Sequence, residues 1–155
     1  MKKYFAYISL LFLSTSTFAA DVILFRHAEK QQGDDPALTE QGQIRALRLA
    51  KLGQTYKPSA LYSTDYKRTQ QTIAPLAQLT ELPVTSYDPN NLASFAQTLK
   101  SLSGMIVVAG HSNTTPVLIK ALSGKDWPID ESTYDDVFIL KQTKSGYEFE
   151  RRSSD

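Results

Sequence analysis

The chain holds two histidines, His27 and His111, and no cysteine. Each follows a short apolar run rich in β-branched residues: Val22–Phe25 precedes Arg26-His27, and Met105–Ala109 precedes Gly110-His111. Runs of this kind are expected as strands buried on both faces. Open sheets built from such strands bind ligands beyond their carboxyl ends. If the two runs are neighbouring strands, the two imidazoles face one another across one crevice. Metal binding is poorly served there, because no HxH or HExxH spacing exists and no thiolate can help. Arg26 also places a permanent positive charge beside His27. A cationic crevice suits an anion, and guanidinium meets phosphate oxygens in a two-pronged geometry. Neither a metal nor any other cofactor is expected.

The elements that must position these side chains are legible as an alternation of strands and helices. Thr39 is expected to cap a helix running to about Gly53, with Ile44, Ala46, Leu47, Leu49, Ala50 and Leu52 as its apolar stripe. Ala60–Tyr62 suggests a second strand. Residues 65–80 read as a helix that Pro75 should kink or break, with Thr64 and Asp65 as candidate caps. A third strand is expected over Val84–Tyr87 and a helix over Leu92–Leu102. A short helix follows over Thr115–Leu122, with Pro116 in its first turn. Val137–Leu140 and Tyr147–Phe149 suggest a hairpin turning at Ser145-Gly146. Leu47, Phe95 and Met105 are expected in the core, Trp127-Pro128 as a loop anchor over it, and Arg151–Asp155 as a solvated, frayed tail. This order implies an α/β fold of three layers, a mostly parallel central sheet with helices on both faces.

Composition bounds the rest. The 155 residues are 41% apolar and 21% charged, one ordinary globular domain's worth. Seventeen basic and sixteen acidic side chains give a net charge of +1, which makes no case for nucleic acid. Residues 1–20 have a short positive start at Lys2 and Lys3, an uncharged apolar run over Tyr4–Leu13, and small residues ending in alanine. That order is expected of a signal peptide, cleaved after Ala19 or Ala20, and the run is too short for a stable membrane span. The expected arrangement is a signal over 1–20 and one domain over 21–155, exported to the periplasm or beyond. Without Lys2 and Lys3 the mature chain has 15 basic against 16 acidic side chains, net −1.

Four ordered segments carry a resemblance to a known family. Arg26-His27-Ala28-Glu29 resembles the signature of the histidine phosphatase (phosphoglycerate mutase-like) superfamily, with Ala-Glu where many members have Gly-Glu. Leu38-Thr39-x-x-Gly42, the segment Tyr62–Thr72 around Arg68, and Val107–Ser112 are similar to its further segments, in the right order. The resemblance implies a phosphoglycerate mutase-like fold and a metal-independent phosphoric monoester hydrolase. His27 would carry a transient phosphoryl group. Arg26, Arg68 and His111 would hold its oxygens, with His111 preferably protonated.

On the residues themselves, Gly110 would let the backbone approach the ligand. Ser112, Asn113 and the helix start near Thr114 would add donors. Glu29 either meets leaving-group atoms or pairs with Lys30 in solvent. Asp88 is the candidate general acid, against an ordinary turn role before Pro89; Glu81 is a poorer one. The expected partner is a small phosphorylated substrate or a phosphoprotein. Two other readings stay open: a noncatalytic anion-binding module of the same fold, and a cytoplasmic phosphohistidine phosphatase with a helical N-terminus.

Overall fold

The computed structural model describes residues 19–155. The expected signal segment therefore lies almost wholly outside the described residues. Six strands and four helices alternate: β1 Asp21–Arg26, α1 Glu40–Thr55, β2 Ala60–Ser63, α2 Lys67–Thr80, β3 Val84–Ser86, α3 Leu92–Ser101, β4 Met105–Gly110, α4 Thr114–Ser123, β5 Asp136–Thr143 and β6 Gly146–Ser153. They form one sheet in the order β3-β2-β4-β1-β5-β6. β3, β2, β4 and β1 pair in parallel. β5 runs against both β1 and β6. The fold is the expected three-layer α/β arrangement with a mostly parallel sheet.

The apolar runs explain the layers. Side chains alternate across a strand, so β1 sends Ile23 and Phe25 to one face and Val22 and Leu24 to the other. The first pair joins Leu49, Ala50, Ile73 and Leu76, which places α1 and α2 on that face. The second joins Phe95, Leu99, Leu118 and Ile119, which places α3 and α4 opposite. A strand covered on both sides has no use for polar positions, hence VILF and MIVVA.

Several local expectations are corrected. Leu47 is 55% exposed and not core; the buried stripe of α1 runs through Arg45, Ala46, Leu49 and Ala50, and Leu47 falls beside it. Met105 is only partly buried, at the edge of the core. α2 continues through Pro75, because the ring removes one ladder bond while Ile73 and Leu76 stay anchored in the core. The hairpin turns at Lys144-Ser145, since Thr143 pairs with Gly146. The C-terminus is not frayed. Arg151–Ser153 belong to β6, and the Asp155 carboxylate meets Arg45 at 2.8 Å and Arg48 at 2.7 Å. Trp127 does anchor its loop, packed on Phe138 and Phe149.

The loop from β1 to α1 closes on itself. Lys30 bridges Leu38, and the Thr39 N–H donates to the Glu29 carbonyl at 2.9 Å. The Thr39 hydroxyl caps α1 by accepting from the Gly42 N–H at 3.1 Å. Gly42 sits so near this loop that a Cβ would overlap the Glu29 carbonyl oxygen. Backbone on both sides leaves no flexible group to yield. Gly42→Ala is therefore expected to cost at least the ~1–3 kcal/mol of an overpacked core position, read as a lowered urea midpoint, whereas Leu47→Ala should change it little.

Candidate active site

β1 and β4 pair in parallel with Arg26 opposite Gly110. The next residue on each chain is a histidine, so both imidazoles emerge at the same level. The His27 N–H donates to the Gly110 carbonyl at 2.8 Å and extends the ladder by one rung. The rings stand 5.4 Å apart, tilted by 68°. The crevice expected from the sequence is formed.

Each imidazole is buried and polarised. His27 Nδ1 lies 2.8 Å from the Ala28 carbonyl, which can only accept. Nδ1 therefore carries the proton, and Nε2 keeps the lone pair that a nucleophile needs. Burial is the main force against protonating His27, reinforced by Arg26, His111 and Arg68 and opposed by the Ala28 hydrogen bond; its pKa is pushed down to about 3. Burial, with Arg68 and Arg26, pushes His111 down to about 4. Burial and the two guanidiniums thus work against the imidazolium expected at His111.

Two guanidiniums flank the rings. Arg26, 6% exposed, lies over the Tyr134 ring at 4.1 Å. Its Nη1 donates to the carbonyls of Glu131 at 2.6 Å and Thr133 at 3.2 Å. Arg68 stacks on Tyr66 at 4.5 Å and reaches His111 Nδ1 at 3.4 Å. Asp35 approaches Arg68 at 3.8 Å. The Nε groups of both arginines are buried without a hydrogen-bond partner. A buried charged donor left unsatisfied is costly, and both arginines stand beside the two imidazoles.

The remaining candidates separate. Asn113 lines a cavity of about 150 Å3 with Arg68, His111, Tyr66 and Thr114; it precedes α4 but makes no side-chain cap. Ser112 follows His111 in the same turn and is half-buried. Asp88 borders an adjacent cavity of about 510 Å3 with Asp35, Asp65 and Tyr66. Its carboxylate accepts from the Asn90 N–H at 2.8 Å, the turn role weighed for it. Glu29 does not pair with Lys30: Arg45 grips it at 2.9 Å, joining the signature loop to the C-terminus.

Gly110 serves packing, because a Cβ there would crowd Thr114, Tyr87 and Thr115 within 3.0 Å. Thr64 and Asp65 do not cap α2. Asp35 does so from the β1–α1 loop, accepting the Lys67 N–H at 2.8 Å, while Asp65 accepts from Ser86. Sequence reading missed Tyr134 and Tyr66, the plates beneath the arginines, which no periodic pattern distinguishes. Among the described residues no three His, Asp or Glu side chains gather as metal ligands, and no helix is long and apolar enough to cross a membrane.

Residues 22–89 match the family described as the histidine phosphatase superfamily, branch 1. Over this segment the chain is similar to that superfamily. No curated protein matches the chain in sequence. Solved structures show the same fold at low identity. An Escherichia coli protein assigned as an α-ribazole-5′-P phosphatase is 15% identical with a TM-score of 0.72, over 87% of this chain and 97% of its own. An Agrobacterium tumefaciens protein assigned as the phosphohistidine phosphatase SixA is 18% identical with a TM-score of 0.67, over 88% and 99%. A mycobacterial glucosyl-3-phosphoglycerate phosphatase is 14% identical with a TM-score of 0.65, over 87% and 98%. The family match ends at Asp88-Pro89, so it contains His27 and Arg68, while His111 enters the site through the fold.

The lowered imidazole pKa values have a consequence for stability. In the unfolded chain both histidines return to about 6.5. Below that pH the unfolded state binds protons that the folded state refuses, so these groups withdraw stability as pH falls from about 6.5 toward 4 and 3. Urea midpoints should decline across this window, and the slope should flatten in a His27→Gln/His111→Gln variant. An unchanged slope would place the acid sensitivity in the carboxylates instead.

Proposed function

We propose that this protein is a phosphatase that hydrolyses phosphate monoesters through a phosphohistidine on His27, without a metal. The observation that carries the proposal is the His27 ring, its Nε2 lone pair free, beside the buried Arg26 guanidinium and the half-buried Arg68. Attack by Nε2 forms the N–P bond as the P–O bond to the leaving group breaks. Arg26, Arg68 and His111 hold the three remaining oxygens as charge redistributes. Water then attacks phosphorus, the N–P bond breaks, and phosphate and neutral His27 return.

Support comes from the family match over 22–89 and from structural neighbours bearing phosphatase names. A further neighbour, a protein histidine phosphatase SixA, has been solved with tungstate, and the mycobacterial phosphatase with inorganic phosphate. The turn role of the Asp88 carboxylate favours substrates whose leaving group needs little protonation, such as aryl or acyl phosphates and phosphoramidates. The signal-like residues 1–20 support export, so we place the substrate outside the cytoplasm.

The test is hydrolysis of an aryl phosphate with EDTA present. His27→Ala should lower kcat/KM by at least about 1,000-fold and Arg68→Ala by roughly 100-fold, the scale of a lost nucleophile and a lost charged donor. Asp88→Asn should change it by less than the ~100-fold that a working general acid contributes. Full activity in His27→Ala would sink the proposal. A folded wild type that binds phosphate but hydrolyses nothing would favour the anion-binding module.

A further inference from the structure

His27 makes the last rung of the β1–β4 ladder. There the chain leaves the sheet, and the next backbone N–H needs an acceptor elsewhere. Ala28 is fully buried, so water cannot serve it. Its N–H donates to Thr72 Oγ1 at 2.9 Å. Thr72 lies in α2, one turn beyond Arg68, and is itself buried. Its hydroxyl stands 2.7 Å from the Arg68 carbonyl. A carbonyl only accepts, so the hydroxyl proton points to Arg68 and the oxygen's lone pairs are left for Ala28. One hydroxyl therefore bridges the peptide that follows His27 and the carbonyl of Arg68.

The needs of the helix do not explain this bridge. A threonine bonded to the carbonyl four residues back slightly destabilises a helix and often bends it. Nor is the bridge required merely to fasten the loop. The Leu38 N–H donates to Gln71 Oε1 at 2.8 Å, and the Lys67 N–H to the Asp35 carboxylate at 2.8 Å. Both bonds tie the same loop to α2 farther from His27. Of the three, only the Thr72 bond reaches the residue next to the histidine.

That residue matters because the Ala28 carbonyl lies 2.8 Å from His27 Nδ1. We propose that Thr72 is a positioning residue for phosphoryl transfer: by pinning Ala28 to α2 it keeps this carbonyl on Nδ1–H, leaves the Nε2 lone pair for attack, and holds the His27 ring in place relative to Arg68. The inference rests on the phosphatase reading. Without the hydroxyl the buried Ala28 N–H has no acceptor, and the turn shifts to find one. The carbonyl then leaves Nδ1, and the Nε2–H tautomer, which has no lone pair at Nε2, becomes populated. Arg68 keeps its stack on Tyr66, so the oxyanion is still held. The loss falls on attack and not on binding.

The test compares three variants. Thr72→Val keeps the volume and removes the hydroxyl. Thr72→Ser keeps the hydroxyl. Gln71→Met cuts another bond to the same loop. Hydrolysis of an aryl phosphate gives kcat, and titration with inorganic phosphate gives ground-state binding. Long-range 15N–1H spectra of the whole chain, labelled at histidine, give the His27 tautomer. Thr72→Val should lower kcat roughly 10- to 100-fold and leave the phosphate Kd within about threefold, the pattern of a misplaced nucleophile. Its His27 signal should shift from Nδ1–H toward Nε2–H. Thr72→Ser and Gln71→Met should both resemble wild type in kcat and in tautomer.

Should Thr72→Val not fold, Thr72→Cys puts a weak acceptor in a similar volume and should move kcat and the tautomer the same way. A folded Thr72→Val with wild-type kcat, or with an unmoved His27 signal, overturns the inference. So does a fall in phosphate affinity as large as the fall in kcat. If the wild type hydrolysed no phosphate ester, the phosphatase reading would fail, while the His27 spectra would still decide what Thr72 does.

Discussion

The register between β1 and β4 is the constraint on which the site depends. Arg26 lies opposite Gly110, so one further residue on each strand places an imidazole at the same height. A slip of one strand by one residue would turn its histidine to the other face of the sheet, away from its partner. The register is secured by burial on both sides: Val22 and Leu24 answer to α3 and α4, Ile23 and Phe25 to α1 and α2.

Once placed, the histidines are governed by electrostatics. They share a buried crevice with two guanidiniums, and the field of those charges works with desolvation to keep both rings neutral. A neutral ring is the reactive form of His27, so the same burial that costs acid stability maintains its nucleophile. The arginines are kept close without a compensating carboxylate on each. Arg26 is tied to loop carbonyls and lies on Tyr134, while Arg68 lies on Tyr66 with Asp35 only at its edge. Aromatic faces and backbone dipoles hold a cation without cancelling its charge, which leaves that charge for an incoming anion.

The loop after His27 is held from two directions. Gly42 lets α1 press against the Glu29 backbone, and Arg45 grips the Glu29 carboxylate and the C-terminal Asp155 together. Glu29, the acidic member of the signature, thus acts here as an anchor for the loop that carries His27. The same loop supplies Asp35 to cap α2, so the two segments bearing His27 and Arg68 are joined by backbone as well as by the sheet.

The alternation of strands and helices, the layer architecture and the location of both histidines at strand ends are legible in the residues alone. Those features follow from periodicity and from runs that only a doubly covered strand can use. The sequence also carries the four family segments that point to Arg26, His27, Arg68 and His111. What each side chain is bonded to emerges from the packing between elements. Leu47 belongs to an apolar pattern yet lies off the buried stripe. Glu29 sits beside Lys30 in the chain yet pairs with Arg45, sixteen residues on. Asp88 follows β3 near the site yet turns its carboxylate to Asn90. Thr64 looks like a helix cap and lies behind His111 instead. In each case the partner comes from a different element, and a hydrogen bond depends on distance and angle within a few tenths of an ångström. Local patterns do not encode such distances; the packing of whole elements sets them.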